Sequence, residues 1–340
     1  MAKSVKVGIA GLGRLGKRHA QNLRYRVEGA DLAAACSIVP EELDWARDEL
    51  GIGETYADYG EMLERANLDA VYLVTTSSMH ASQSIAALER GLHVFTEKPM
   101  GVSLDECKSV EEAVAQRGDQ VFFIGFVRRF DPSYAYAKKL IDDGAIGEPF
   151  LVRSQTVDLD EYAEFQVGFV PTSGGIFLDC NVHDIDLARW FLGSEVKTVY
   201  AKGGSYVHKA FDDVNDADNT VVLTTFQDGK IAVIAASRTA FHGHDTHTEI
   251  TGSKGILKIG MTPAKNRVEV FDSQGARQEC VKDFYERFRE GFLNEAQEFI
   301  NCIREGRQPI VSAWDGTKAT EVGFAMTDSF RQGREITIGA

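Results

Sequence analysis

The chain has 340 residues and carries 51 acidic side chains against 37 basic ones, so its formal net charge is −14. This negative charge, without a segregated basic patch, argues against a nucleic-acid partner, because a polyanionic backbone would be repelled. Hydrophobic residues make up 44% of the chain and charged residues 26%, which is typical of a globular protein. The length exceeds that of one usual core, so we predict two domains.

No uninterrupted apolar run is long enough for a membrane span, and the first predicted strand follows Met1 closely without an apolar targeting segment. The cysteines are odd in number, widely spaced and lack a C-x-x-C pair, which indicates neither a disulfide framework nor a zinc site. We therefore expect reduced thiols, a cytoplasmic location and no membrane partner. The five cysteines are Cys36, Cys107, Cys180, Cys280 and Cys302.

A glycine-rich turn follows the first apolar run, Val5 to Ala10, with the sequence G-L-G-R-L-G at residues 11–16. Gly11 allows a tight turn, Gly13 allows the backbone to approach a pyrophosphate, and Gly16 allows close packing of helix on strand. The phosphates of a dinucleotide would bind to N–H groups at the helix start. The context supports this reading, since a helix is predicted over Leu15 to Tyr25 and a second strand over Asp31 to Ser37.

Strand and helix patterns alternate through the rest of the N-terminal part. Alternation of this kind predicts right-handed crossovers and a parallel sheet covered on both faces. We predict an α/β protein whose residues 1–126 form a doubly wound Rossmann domain. The further strands are predicted at Ala70 to Thr75, Leu92 to Thr96 and Val121 to Gly125, and the helices at Asp58 to Arg65, Met79 to Arg90 and Leu104 to Ala115.

The strand ending at Thr96 runs directly into Glu97-Lys98-Pro99. A residue before proline is held extended, so Lys98 is expected to project at the carboxyl end of its strand, where such sheets bind ligands. A solvated surface charge is the alternative for an isolated lysine. The residues predicted to bind the cofactor are Gly11, Gly13, Arg14, Leu15, Gly16, Ser37, Thr75, Thr76, His80, Glu97 and Lys98.

Beyond the turn-rich segment Gly144 to Pro149 the pattern changes to strands without intervening helices. Gln227-Asp228-Gly229 is predicted to be a hairpin turn, so residues 127–340 are predicted to form an α/β domain with a large, open, mostly antiparallel sheet. Its strands are predicted at Phe150 to Asp158, Val196 to Tyr206, Ala217 to Phe226, Lys230 to Ser237, Thr248 to Thr251, Ile256 to Ile259 and Arg267 to Phe271. Its closing helices are predicted at Phe284 to Arg304 and Asp315 to Arg331.

Asp179 and His183 lie within a segment that we predict to be one helix beginning at Asp179. A spacing of four residues would place both side chains on one helical face. A neutral imidazole can accept a proton at neutral pH, and a nearby carboxylate can fix its tautomer and steady the imidazolium. Two side chains so placed are close enough to address one substrate atom, which makes Asp179 and His183 candidate catalytic residues. A structural histidine is the alternative.

The glycine turn, Glu97-Lys98-Pro99 and Asp179-x-x-x-His183, in this order, resemble the Gfo/Idh/MocA family of oxidoreductases, and within it the inositol dehydrogenases. The resemblance spans nearly the whole chain. It implies a nicotinamide cofactor, a cyclitol or sugar substrate, and a homotetramer formed through the open sheet of the second domain. It also implies that His183 is the base of an alcohol oxidation, assisted by Asp179, and that Lys98 stabilises the developing alkoxide.

The resemblance extends to residues 125–131, where Arg128 matches an arginine placed near the polyol. We predict Lys98, Arg128, Asp158, Asp179, His183, His242 and His244 as substrate contacts, since a polyol needs several donors and acceptors. A metal site at His242, His244 and His247 is an alternative, but alternating imidazoles equally fit pocket walls or a solvated edge. No metal is predicted.

Ser37 stands where many family members carry an acidic residue after the second strand. An acidic residue there repels the 2′-phosphate of NADP, and serine does not. The residues that follow supply no cation for that phosphate, so NAD is predicted to be preferred, with NADP possible. The predicted reaction is hydride transfer from a ring carbon of scyllo- or myo-inositol to NAD, giving an inosose. The alternatives are another polyol or aldose dehydrogenase and a non-catalytic dinucleotide sensor.

Overall fold

A computed structural model describes residues 4–339, which form two compact units. The first unit comprises the chain up to Val127 together with Glu290–Thr320, and the second comprises Arg128–Arg289 and the chain from Glu321 onward. Each unit therefore contains two separate runs of sequence. Within the described residues, no helix is both long enough and apolar enough to cross a membrane.

The first unit contains a parallel sheet flanked by helices, which confirms the predicted Rossmann architecture. The strand order is β3-β2-β1-β4-β5-β6 and every neighbouring pair is parallel. The order reverses direction between β1 and β4, where sheets of this kind bind ligands. The elements are β1 (Val5–Ala10), α1 (Arg14–Tyr25), β2 (Ala30–Cys36), α2 (Pro40–Leu50), β3 (Glu54–Tyr56), α3 (Tyr59–Arg65), β4 (Ala70–Leu73), α4 (Ser77–Glu89), β5 (His93–Thr96), α5 (Leu104–Ala115) and β6 (Phe122–Ile124).

Aromatic side chains form much of the core of this first unit. The rings of Tyr72 and Phe95 stack with centroids 3.7 Å apart, and Phe123 continues the stack. Phe299 packs edge-on against all three rings. Because Phe299 lies within Glu290–Thr320, this buried aromatic cluster explains why that late segment belongs to the first unit.

The second unit is built on a seven-stranded mixed sheet. Its helices and strands, in chain order, are α6 (Pro132–Asp142), β7 (Pro149–Leu159), α7 (Ala163–Ser173), α8 (Ile176–Asp179), α9 (Val182–Leu192), β8 (Val196–Gly204), α10 (Ala210–Asp213), β9 (Asn219–Phe226), β10 (Ile231–Ala240), β11 (Asp245–Gly252), β12 (Gly255–Ile259), β13 (Ala264–Asp272), β14 (Gly275–Cys280), α11 (Phe284–Glu305), α12 (Ala313–Gln332) and β15 (Ile336–Thr337). Helices α11 and α12 each contribute residues to both units. Short 3₁₀ helices form at Val127–Phe130 and Asp160–Tyr162.

The strand order of this sheet is β12-β11-β7-β10-β9-β8-β15, and β13 and β14 form a separate hairpin. All neighbouring pairs are antiparallel except β7 with β10, which confirms the prediction of a mostly antiparallel sheet. The predicted turn at Gly229 joins β9 to β10, and Gly229 adopts a φ of +85° that favours glycine.

Side chains of the large sheet alternate between a buried and an exposed face. On β9, Val222 and Thr224 are buried, whereas Val221 and Leu223 are exposed. The buried face of β7 is joined to α9 by hydrogen bonds from Ser154 and Thr156 to Asp184. The alternation is that of an antiparallel sheet covered on one side.

Candidate active site

The glycine turn at residues 11–16 has the geometry that a pyrophosphate requires. Gly11 has a φ of +91°, and a Cβ there would lie 2.3 Å from the Val74 carbonyl oxygen. A Cβ on Gly16 would lie 2.1 Å from the Gly11 oxygen, so neither glycine can be replaced without moving backbone. A Cβ on Gly13 would meet nothing within 4 Å, so the backbone is open there. Since α1 begins at Arg14 with no side-chain cap, this turn fits a dinucleotide phosphate group.

His80, one of the predicted cofactor residues, is buried and lies between Thr75, also predicted near the cofactor, and Pro99. His80 Nε2 lies 3.1 Å from the Thr75 carbonyl oxygen, and His80 Nδ1 lies 2.8 Å from the Pro99 carbonyl oxygen. Burial lowers the pKa of His80 below its ordinary value. His80 therefore links the end of β4 to the segment that follows β5. Thr76, by contrast, is exposed at the start of α4.

Glu97 and Lys98 follow β5 directly and have different surroundings. Glu97 is buried, and its Oε1 lies 3.1 Å from His19 Nε2. Its Oε2 accepts a hydrogen bond from the Lys98 backbone N–H at 3.2 Å. Lys98 itself is only partly buried, and its peptide bond to Pro99 is cis. The structure thus places Glu97 in an internal network that holds the backbone of Lys98.

A second carboxyl group, which the sequence analysis did not identify, lies in the same network. Glu295 on α11 is fully buried and lies with His19 and Glu97 in one cluster. Within the described chain, neither oxygen of the Glu295 carboxyl group has a hydrogen-bond partner. Burial raises the pKa of Glu295 well above its ordinary value, and the charge of Glu97 raises it further. The raised pKa favours the protonated form of Glu295 at pH values above 4.5.

The prediction that Asp179 begins a single helix running through His183 is wrong. Asp179 ends the short helix α8, and α9 starts at Val182 after a break at residues 180–181. Helix α8 begins earlier because Gly175 adopts a φ of +85° and the Ile176 N–H donates to the Asp216 carboxylate. Both Asp179 and His183 are partly exposed, although most neighbouring residues are buried.

Asp216 and Arg238 support α8 from outside the helix. Asp216 accepts hydrogen bonds from the Ile176 N–H at 3.2 and 3.1 Å and from Arg238 Nη1 at 2.7 Å. The Arg238 guanidinium is fully buried over the Phe211 ring. Sequence reasoning missed both residues. The available signal was an arginine near the end of a strand that is apolar over residues 231–236, since such a residue is buried only when it is paired.

Asp184, next to His183 on α9, forms a second buried network. Arg128 Nη1 donates to Asp184 Oδ1 at 2.7 Å, and Arg128 Nη2 donates to Thr156 Oγ1 at 2.6 Å. Ser154, Thr156 and Asn181 also donate to the Asp184 carboxylate. Both terminal nitrogens of Arg128 are therefore used inside the second unit, where they anchor the start of the helix that carries His183.

The structure brings together two of the predicted substrate contacts, Asp158 and His244. Asp158 Oδ1 lies 3.0 Å from His244 Nδ1, and His244 Nε2 lies 2.7 Å from Thr246 Oγ1. Burial opposes ionisation of Asp158, yet the hydrogen bond and charge of His244 and the charge of Arg238 hold the pKa of Asp158 below its ordinary value. The contact with His244 therefore fixes the position of the Asp158 carboxylate and favours its ionised form.

His242 and His247 are separated from that pair. His242 Nε2 lies 3.5 Å from Asp245 Oδ2, and His247 Nδ1 lies 3.4 Å from Asp245 Oδ1. Half of the His242 side chain is exposed. The ring nitrogens of His242, His244 and His247 do not lie close enough together to form a metal site. Among the described residues, the one group of potential metal-ligand atoms that lie close together belongs to His19, Glu97 and Glu295.

The six-stranded parallel sheet with its open glycine turn is the architecture of a dinucleotide-binding protein. Residues 5–126 match the model of an oxidoreductase family, NAD-binding Rossmann fold. Residues 138–338 match the C-terminal alpha/beta domain of the same family. The chain belongs to the Gfo/Idh/MocA oxidoreductase family, and its cofactor is NAD.

Similar proteins cover the chain from end to end. A scyllo-inositol 2-dehydrogenase (NAD(+)) of Bacillus subtilis is 38% identical, with 99% of this chain and 97% of the relative covered. A myo-inositol 2-dehydrogenase of Thermotoga maritima is 34% identical, with 98% of each covered. The structure of scyllo-inositol dehydrogenase from Lactobacillus casei with bound NAD(H) and scyllo-inositol is 39% identical, with a TM-score of 0.96 over 99% of this chain and 100% of that one.

Proposed function

We propose that this protein is an NAD-dependent inositol dehydrogenase that oxidises a ring hydroxyl of scyllo- or myo-inositol to the inosose, as a step of inositol catabolism. The observation that carries the proposal is full-length similarity to inositol dehydrogenases, including one solved with NAD(H) and scyllo-inositol. The glycine turn, whose backbone is open at Gly13, supports the cofactor assignment independently of that similarity.

Oxidation of an alcohol requires a proton to leave the hydroxyl oxygen while a hydride leaves the carbon that bears this hydroxyl group. NAD, held at the glycine turn of residues 11–16, would supply the hydride acceptor. We assign the proton to His183, a partly exposed histidine at the start of α9. Asp179 is assigned to steady the imidazolium that forms. Lys98, which follows β5, is assigned to stabilise the developing alkoxide through its positive charge.

Substrate hydroxyl groups need fixed partners, and the second unit supplies candidates. The Asp158–His244 pair is rigidly bonded, so its carboxylate is suited to accept a hydrogen bond from a polyol. His242 is exposed enough to adapt to a ligand. Arg128 remains a predicted contact, although its Nη1 and Nη2 donate to Asp184 and Thr156.

We further propose that the protein is a homotetramer formed through the exposed face of the large sheet. Tyr200, Leu223 and Val233 lie side by side in the register of β8, β9 and β10. Tyr200 and Leu223 are exposed, and Val221 adds a further exposed apolar side chain. Such a patch favours association. A cytoplasmic location is supported by the five cysteines, all of which lie within the described residues and none of which forms a disulfide bond there.

The test is the absorbance of reduced nicotinamide when the protein is given NAD and a panel of inositols, polyols and aldoses. Turnover with scyllo- or myo-inositol at a kcat/KM at least about tenfold above that of any aldose supports the proposal. Faster turnover of an aldose or an acyclic polyol favours another dehydrogenase of the family. Binding of NADH without turnover of any compound favours a dinucleotide sensor.

A further inference from the structure

Ser37, at the end of β2, is not an isolated hydroxyl. Ser37 Oγ donates a hydrogen bond of 2.5 Å to Glu42 Oε2 and accepts one of 3.1 Å from the Val39 N–H. The side chain is buried, with a relative exposure of 6%. The Ser37 hydroxyl therefore donates its hydrogen bond to Glu42 and is not free to donate to a ligand. This hydrogen bond holds the Glu42 carboxylate in place.

Glu42 lies in the first turn of α2, close to the glycine turn. The Gly11 N–H donates to the Cys36 carbonyl oxygen at 2.9 Å, so the carboxyl end of β2 adjoins the start of the phosphate-binding segment. Glu42 is partly buried, whereas its neighbour Glu41 is exposed. Within the described residues, the Ser37 hydroxyl is the one hydrogen-bond partner of the Glu42 carboxylate, which leaves Oε1 available to accept a further hydrogen bond.

We propose that Glu42, held in place by Ser37, is the acidic group that makes this enzyme prefer NAD to NADP. In dinucleotide-binding domains an acidic side chain after the second strand accepts hydrogen bonds from the adenosine ribose. Here the position after the strand is a serine, and the carboxylate reaches the same edge from five residues further along the chain.

Charge explains why this arrangement discriminates between the two cofactors. The 2′-phosphate of NADP is anionic, so a carboxylate beside the ribose repels it, whereas the same carboxylate accepts a hydrogen bond from the ribose 2′-hydroxyl of NAD. No lysine or arginine occurs between Arg26 and Arg47, so the segment that follows β2 contains no compensating cation. The interaction is electrostatic and is expected to weaken as salt shortens the screening length from about 10 Å to about 3 Å.

The experiment measures dissociation constants of NADH and NADPH by fluorescence, which does not depend on turnover. Glu42→Gln is the test variant because it keeps the size of the side chain and removes its charge. Glu41→Gln is the matched control, since it removes the same charge from the adjacent exposed position. We expect Glu42→Gln to reduce the ratio of the NADPH to the NADH dissociation constant about tenfold, equivalent to about 1.4 kcal/mol, and Glu41→Gln to change it less than about twofold.

Ser37→Ala and the double variant Ser37→Ala/Glu42→Gln test the support role. Ser37→Ala is expected to reduce the ratio of the NADPH to the NADH dissociation constant. The double variant is expected to have the same ratio as Glu42→Gln alone, because the hydroxyl acts only through the Glu42 carboxylate. High salt is expected to reduce the preference of the wild type for NADH over NADPH and to leave the preference of Glu42→Gln unchanged. An unchanged ratio in Glu42→Gln, or equal changes in Glu41→Gln and Glu42→Gln, would overturn the proposal. The inference rests on NAD as cofactor, and failure of the wild type to bind NADH would refute that cofactor assignment as well.

Discussion

Arg238 Nη1 lies 2.7 Å from Asp216 Oδ2, and the two side chains are only 1% and 7% exposed. Asp216 in turn accepts the Ile176 N–H, 40 residues away in sequence, at the start of the helix that ends in Asp179. A buried ion pair thus holds the short helix on which a proposed catalytic residue is carried. The Arg238–Asp216 pair therefore contributes both to the stability of the second unit and to the position of Asp179.

The first prediction concerns this pair. Arg238→Gln should destabilise the second unit by about 3–5 kcal/mol, because it leaves the Asp216 carboxylate buried without its charged partner. Arg153→Gln is the control, since Arg153 pairs with Glu249 on the exposed sheet face and should cost less than about 1 kcal/mol. Urea unfolding followed by fluorescence measures both values. Equal losses in the two variants would show that the buried pair has no special role.

The second prediction concerns the proposed proton transfer. His183→Ala and Lys98→Ala should each lower kcat by about a hundredfold or more, because each removes a group that acts on the hydroxyl. Binding of NADH should persist in both variants. Steady-state kinetics together with NADH fluorescence separates the two effects. Near wild-type turnover of His183→Ala at neutral pH would refute its assignment as the base.

Asp179→Asn is a third test, since it keeps the size of the side chain and removes its charge. We expect a lower kcat and a shifted pH–rate profile, because the imidazolium of His183 would lose its negative partner. The profile of kcat against pH is the measurement. An unchanged profile would mean that Asp179 contributes only to the end of α8.

A fourth prediction follows from the raised pKa of Glu295. The folded state keeps this carboxyl group protonated at pH values above its ordinary pKa of 4.5, where the unfolded chain releases the proton. The folded state therefore binds more protons, and its stability should fall as pH rises by up to about 1.4 kcal/mol per pH unit. Glu295→Gln should remove this loss and gain stability over the wild type as the pH rises above 4.5.

Thermal unfolding across that pH range measures the effect. Glu290→Gln, at an exposed position of the same helix, is the control and should parallel the wild type. The His19, Glu97 and Tyr72 side chains face the same cluster and remain in both proteins. A constant difference between Glu295→Gln and wild type at every pH would contradict a protonated Glu295.

A fifth prediction concerns assembly. Leu223→Asp places a charge in the exposed apolar row of the large sheet and should lower the mass in solution, because an unpaired charge is costly in an apolar interface. Tyr136→Asp, at an exposed position on α6, is the control and should keep the wild-type mass. Light scattering at micromolar protein measures both. A monomeric wild type would refute the tetramer.

Much of the fold could be predicted because local patterns determined it. The G-L-G-R-L-G turn, the alternation of strand and helix, and the turn at Gly229 each depend on neighbouring residues, and the structure agrees with them. The helix at Asp179 could not be predicted correctly, because its start depends on Asp216, which is close only after folding. Helix α2, at Pro40–Leu50, was not predicted, although the proline at its start was a usable signal.

The buried partners of the site were also beyond local reasoning. Glu295 belongs to a long helix with charged residues throughout, and nothing in its spacing distinguishes it from the exposed Glu290. Its burial follows from the return of Glu290–Thr320 to the core of the first unit. Glu42 is one of two adjacent acidic residues that follow Ser37, and only the structure shows the hydrogen bond that distinguishes it from Glu41.

The central claim is that this protein couples oxidation of an inositol ring hydroxyl to reduction of NAD. The most direct measurement incubates the wild-type protein with NAD and scyllo-inositol, then with NAD and myo-inositol, and quantifies NADH by absorbance and inosose by mass spectrometry. We predict equimolar formation of NADH and inosose with at least one of the two substrates. Tight NADH binding without inosose from either substrate would contradict the claim.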